Sequence, residues 1–206
     1  MSELASPRLA RLAQGAPPPA PEVGDDCDVC GRPLEPHHRH IADLEQQRLL
    51  CACHACRILF DRTAVGGGHF RLVPERVRAL PGFVLDDADW AALRIPVDMA
   101  FFFSSTPAGR VVSLYPGPRG ATESLLELDA WDDLVAANPV LRELEPDVEA
   151  LLVHRAGGAR DHFVVPIDRA YELVGTIRGS WKGLGGGNAV WREIAAFFDQ
   201  LSKEAA

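Results

Sequence analysis

The most regular hydrophobic pattern lies near the C-terminal end. There Val190, Trp191, Ile194, Phe197, Phe198 and Leu201 recur every three or four residues and predict an amphipathic helix. Leu173, Val174, Ile177 and Trp181 repeat that spacing in the helix before it, which Asp168 is expected to cap. The glycine-rich stretch GLGGGN (183–188) separates the two. Further upstream the pattern changes to short apolar runs bounded by turn residues. DMAFFFSS (98–105) and RVVSLY (110–115), joined by TPAG, predict one hairpin, and VEALLVHR (148–155) with HFVVPI (162–167) predict a second. DDADWAAL (86–93) reads as a short acid-capped helix. Asp129 is the expected N-cap of another, whose stripe is Trp131, Leu134 and Val135 and which Asn138-Pro139 ends. Residues 81–206 therefore predict an α+β domain of β-hairpins and amphipathic helices.

The first eighty residues follow no such pattern. Residues 1–24, with APPPAPE near their end, predict a flexible Pro-rich tail. Residues 25–80 contain all five cysteines, and four of the seven histidines, His37, His38, His40 and His54, lie inside the stretch from Cys27 to Cys56. Cys27-x2-Cys30 and Cys53-x2-Cys56 stand twenty-two residues apart, the spacing with which two knuckles close a tetrahedral Cys₄ site. Two intervening residues let one tight turn aim both thiolates at one ion, and the long loop brings the second pair to complete the tetrahedron. Gly31 follows Cys30 where such a knuckle needs positive φ. RILF after Cys56 predicts a short helix with Cys53 and Cys56 at its start, and HFRLV (69–73) predicts a strand. The expected architecture is thus a zinc-ribbon or treble-clef-like module over 25–80, then the α+β domain over 81–206.

Composition narrows the chemistry. The chain has 206 residues and a net charge of −8. Residues 27–80 carry eight basic and six acidic side chains, residues 81–206 eleven and nineteen. The acidic bulk argues against nucleic acid as a partner, because phosphate binding needs clustered Lys and Arg. No apolar run approaches the roughly 20 residues of a membrane span, and the N-terminus lacks a signal-type apolar core. A cytoplasmic location is expected, where paired cysteines favour metal over disulfide chemistry. No GxxxxGK[ST], GxSxG, HExxH or GxGxxG pattern occurs, so a non-enzymatic role is expected.

The metal ligands expected are Cys27, Cys30, Cys53 and Cys56, with Cys51 and His40 as alternates. Zinc is the expected ion and iron the alternative, as a rubredoxin-like or Fe–S centre for electron transfer. The remaining histidines of the His37–His40 cluster suit hydrogen bonds to thiolates or carbonyls better than direct ligation. The order CxxC, HHRHI, LLCACHAC is also similar to HNH-type nucleases. Those enzymes place a further histidine or asparagine on the helix after the second knuckle, and RILFDRTAV supplies neither.

Taken together, CDVCG, HRHIAD, LLCACHACRILF, IPVDMAFFF, YPGPRGATES (115–124), LEPDVEALLVHR (144–155) and VPIDRAYELVGTIRGSWKGLGGG followed by VWREIAAFF resemble an uncharacterised bacterial family of about this length. Its members are encoded beside high-affinity uptake [NiFe]-hydrogenase genes, and the resemblance spans about residues 25–200. It implies an accessory, assembly or electron-transfer role, with a hydrogenase subunit or maturation factor as protein partner. It assigns no role to any residue beyond the cysteines.

Overall fold

The structure is a computed structural model that describes residues 26–60, 68–125, 128–183 and 186–205. The expected tail at 1–24 lies outside these residues. Among the described residues nine strands form two sheets. The smaller combines β1 (Arg39–Asp43), β2 (Arg48–Ala52) and β3 (Phe70–Leu72) in the order β2-β1-β3. The larger adds β4 (Arg78–Ala79), β5 (Met99–Ser105), β6 (Arg110–Gly117), β7 (Gly120–Ser124), β8 (Glu149–His154) and β9 (Asp161–Pro166) in the order β4-β9-β8-β5-β6-β7. Every neighbouring pair is antiparallel. The two predicted hairpins are β5–β6 and β8–β9. The fold is α+β, with a cysteine cluster near the N-terminal end.

Among the described residues the α-helices are α1 (His54–Phe60), α2 (Asp87–Ala92), α3 (Leu128–Ala137), α4 (Ile167–Ser180) and α5 (Gly187–Glu204). Helices cover both faces of the large sheet, which explains why its central strands read as unbroken apolar runs. Phe101 and Leu152 point to one face, where they pack with Leu173 and Ile177 of α4 and Ile194, Phe198 and Leu201 of α5. Their neighbours Ala100, Phe102, Leu151 and Val153 point to the other, against Trp90 of α2 and Trp131 and Leu134 of α3. The period of two in each strand thus feeds two separate cores.

Several local expectations need correction. Asp129 lies inside the first turn of α3 and does not precede it. Asp168 is likewise inside the first turn of α4, whose cap position is Pro166 without a side-chain cap bond. Its Oδ2 instead meets His40 Nδ1 at 2.8 Å. Trp191, placed on the apolar stripe of α5 by spacing, is 47% exposed, while Val190, Ile194, Phe197, Phe198 and Leu201 are buried. Trp181 donates its Nε1–H to the Gly183 carbonyl at 2.9 Å. A Cβ at Gly186, where φ is +79°, would stand 2.7 Å from Val190 and 3.2 Å from the Trp181 ring. Gly186 thus leaves no room for a side chain, and its positive φ suits glycine.

Two histidines on the β8–β9 hairpin make the fold sensitive to acid. Burial holds the His154 pKa below its ordinary value, although Asp161 Oδ2, 3.0 Å from its Nδ1, acts in the opposite direction. Burial also lowers His162, aided by the nearby Arg155 guanidinium, and Phe83 stacks on its ring at 4.7 Å. The unfolded chain takes up these protons near pH 6.5 while the folded chain resists them. Stability is therefore complete above about pH 6.5 and is lost as pH falls through the lower folded values. Urea midpoints should decline from pH 7 to pH 5, and His162→Phe should lessen that decline. An unchanged slope in the variant would remove His162 from this account.

Candidate metal centre

The N-terminal module is built as knuckle, hairpin and helix, a treble-clef-like order. In the first knuckle Gly31 N–H donates to the Cys27 carbonyl at 2.8 Å, and Cys27 N–H donates to the Arg32 carbonyl at 2.8 Å. Gly31 has φ +67°, as the sequence position requires. Asp28 docks this knuckle on the end of β2. Its N–H donates to the Cys51 carbonyl at 2.9 Å, and its Oδ2 accepts the Cys51 N–H at 2.6 Å. The second knuckle is formed where β2 stops at Ala52 and α1 begins. Cys53 precedes that helix, accepting the Arg57 N–H at its carbonyl at 3.0 Å, and Cys56 sits in the first turn.

These elements bring Cys27, Cys30, Cys53 and Cys56 together, with all four sulfurs within 4.8 Å of one another. The Cys30–Cys53 sulfur separation is 3.8 Å. Zinc–thiolate bonds of about 2.3 Å in a tetrahedron place sulfurs about 3.8 Å apart, so the cluster fits a four-coordinate ion. It does not fit disulfides, which need about 2.0 Å, and none of the five cysteines forms one. Cys27, Cys53 and Cys56 are 2%, 9% and 6% exposed, and Cys30 is open to solvent. Ile41, Leu50 and Ala52 of the hairpin are the other buried members of this small core.

The electrostatics show how crowded the sulfurs are. Burial opposes a Cys27 thiolate, yet N–H donors from Cys53, Cys30 and Val29 outweigh it and lower its pKa to about 6. The Cys56 N–H lowers Cys53 in the same way. Cys56 is pushed up to about 12 by burial and by its three sulfur neighbours. Without a cation the cluster accommodates thiolates unequally and keeps protons on the rest. A bound divalent ion removes that conflict by displacing those protons. A cluster of this kind can hold a metal ion such as zinc.

The alternates lie elsewhere. His40 and Cys51 are cross-strand partners on β1 and β2, and they group with His38 rather than with the four cysteines. Strand alternation explains the separation: Ile41, Leu50 and Ala52 face the cysteine cluster, so His40 and Cys51 face away. Ala42, on that outward face, joins the core formed with α4 and α5, and Val73 joins it from the chain just after β3. His37 and His54 are exposed. Asp168, which the sequence suggested only as a helix cap, is the residue that meets His40. A partner 128 residues away leaves no local signal in the sequence.

A cavity of about 620 Å³ lies along the same seam, bordered by Asp43, Arg48, Phe103, Arg110, Asp147 and Tyr171. Arg71 Nε of β3 lies 3.5 Å from Oδ2 of Asp147, one of the bordering residues. Among the described residues no helix is long and apolar enough to cross a membrane.

The chain belongs to a family of unknown function (DUF5947), whose model matches residues 26–205. No curated protein and no solved structure matches it.

Gly31 offers a direct test of the knuckle. A Cβ there meets nothing within 4 Å, so Gly31→Ala carries only the cost of its left-handed backbone. That cost is about 1–2 kcal/mol. Zinc affinity, measured by competition with a chromophoric chelator, should fall by about tenfold as that strain is relieved on release. An unchanged affinity would show that the knuckle bends differently.

Proposed function

We propose that this member of the family is a zinc-clasped accessory protein with no catalytic centre of its own. Cys27, Cys30, Cys53 and Cys56 would hold one zinc ion, closed to substrate. The observation that carries this reading is the 3.8 Å sulfur spacing within a cluster whose other buried side chains are Ile41, Leu50 and Ala52, with Leu34, Phe60, Phe70 and Leu72 packed half-buried against them. So small a core does not hold a module of this size together unaided. Metal binding would then supply folding energy to residues 25–80, and residues 81–206 would form the second unit, with Ala42, Val73 and Val77 of the first packed into its α4–α5 core.

A protein partner is the reading that best suits the exposed side chains near the cluster. Ile58 and Leu59 on α1 are 59% and 56% exposed, and Val29, between the cysteines of the first knuckle, is 41% exposed. Isolated apolar residues on a surface are ordinary, but three around one structural ion suit a binding face. The family resemblance suggests a [NiFe]-hydrogenase subunit or maturation factor in the cytoplasm. Affinity capture of the intact protein from its own cells tests this, and recovery without any hydrogenase component would count against it.

Iron at the same ligands is the second reading, favoured by the exposure of Cys30, which brings one sulfur of the centre to the surface. Protein purified without oxygen separates the two, because zinc is colourless and iron thiolate absorbs visible light.

Cys56→Ser should lose the ion and unfold residues 25–80, seen as lost amide protection there, while residues 81–206 still unfold cooperatively. Cys30→Ser, at the exposed corner, should weaken metal binding with less structural loss. Full metal content and an intact N-terminal module in Cys56→Ser would defeat the clasp.

A further inference from the structure

We propose that His38, His40 and Cys51 form a second metal site, distinct from the cysteine cluster, that takes a divalent transition-metal ion of the zinc type through three protein ligands and leaves a fourth position open. The site lies on the outward face of the β1–β2 hairpin and goes beyond the clasp.

The placement follows from strand geometry. His38 and His40 are two residues apart where the chain enters β1, so their side chains share a face. Cys51 lies directly across from His40 in the β1–β2 register. One ligand atom from each of the three lies within 4.8 Å of the others. Zinc bonds of about 2.1 Å to nitrogen and 2.3 Å to sulfur hold such atoms about 3.4–3.8 Å apart. Small side-chain rotations therefore close the site.

The hydrogen bonds already prepare both rings for ligation. His38 Nδ1 lies 3.0 Å from the Glu35 carbonyl, which can only accept, so Nδ1 carries the proton and Nε2 the lone pair. That Nε2 is buried and has no hydrogen-bond partner. An orphaned buried acceptor costs about 1–3 kcal/mol unless something satisfies it, and a cation does so. His40 Nδ1 meets Asp168 Oδ2 at 2.8 Å, leaving Nε2 as its ligand atom. A carboxylate behind a histidine, holding its tautomer and raising its basicity, is how metal-binding imidazoles are supported. Asp28 fixes the Cys51 backbone from both sides.

The donor set selects the ion. Two imidazoles and a thiolate suit zinc or a neighbouring late first-row ion, whereas magnesium and calcium require oxygen ligands. One thiolate and Asp168 together balance a double positive charge. Closed structural sites use four protein ligands, while three leave a position for water or an exogenous ligand. His40 and Asp168 are respectively 29% and 20% exposed at their side chains, so solvent reaches this edge. Asp168 belongs to α4, so occupancy would also tie the hairpin to the large sheet's helical layer.

Equilibrium dialysis of the full-length protein against zinc, with metal counted by elemental analysis, tests the site. Wild type should bind about two ions per chain, one in each site. His38→Ala and Cys51→Ser should each bind one fewer, with unchanged circular dichroism. His38 lies outside the strands, so its variant keeps the hairpin if Cys51→Ser does not. Asp168→Asn should keep the first ion and weaken the second by about tenfold or more. His37→Ala, which removes an exposed neighbour, should retain both. One ion in wild type, or two that persist in both His38→Ala and Cys51→Ser, overturns the proposal. Loss of the ion that Cys56→Ser removes bears on the clasp alone.

Discussion

Four sulfurs packed within 4.8 Å of one another, three of them buried, place a constraint on the N-terminal module that nothing else in its small core relieves. Backbone N–H groups can stabilise a thiolate at Cys27 and favour one at Cys53, but burial, with the neighbouring sulfurs adding to it, drives Cys56 up to about 12. The cluster could hold a cation, which would relieve that conflict. Everything around it serves to bring the two knuckles into register: Gly31 turns the first, Asp28 fastens it to β2, and the end of β2 at Ala52 releases Cys53 into the second.

The β1–β2 hairpin carries this constraint outward because its two faces have different duties. Ile41, Leu50 and Ala52 complete the cysteine core, while Ala42 joins the core under α4 and α5. His40 and Cys51 share the second face and meet the large sheet's helical layer at Asp168. A one-residue slip in the hairpin would exchange the faces and place histidine in the cysteine core. The cross-strand register is therefore what keeps two groups of cysteine and histidine side chains apart although they are neighbours in the chain.

The large sheet shows the same economy. β5 and β8 lie at its centre and are buried on both faces, so their alternate residues supply two cores at once. Helical layers of unequal size cover those faces. α4 and α5 form the longer one, and it is this layer that reaches the N-terminal module.

The cysteine spacing, the glycine of the knuckle, both hairpins of the large sheet and the stripe of α5 were legible in the sequence, because each depends on contacts within a few residues or on a simple period. Family membership agrees with the extent of the resemblance. Tertiary structure alone decided the rest. Cys51 and Cys53 differ by two positions and would share a face in a continuous strand; only the end of β2 sends them to different clusters. Asp168 looked like a cap because Asp at a helix start ordinarily is one, and its true partner lies 128 residues away. Trp191 fits the period of its helix yet faces solvent, since the width of a buried stripe is set by what packs against it. Local pattern determines which elements form and which side chains share a face. Which faces meet is decided by the packing of elements distant in the chain.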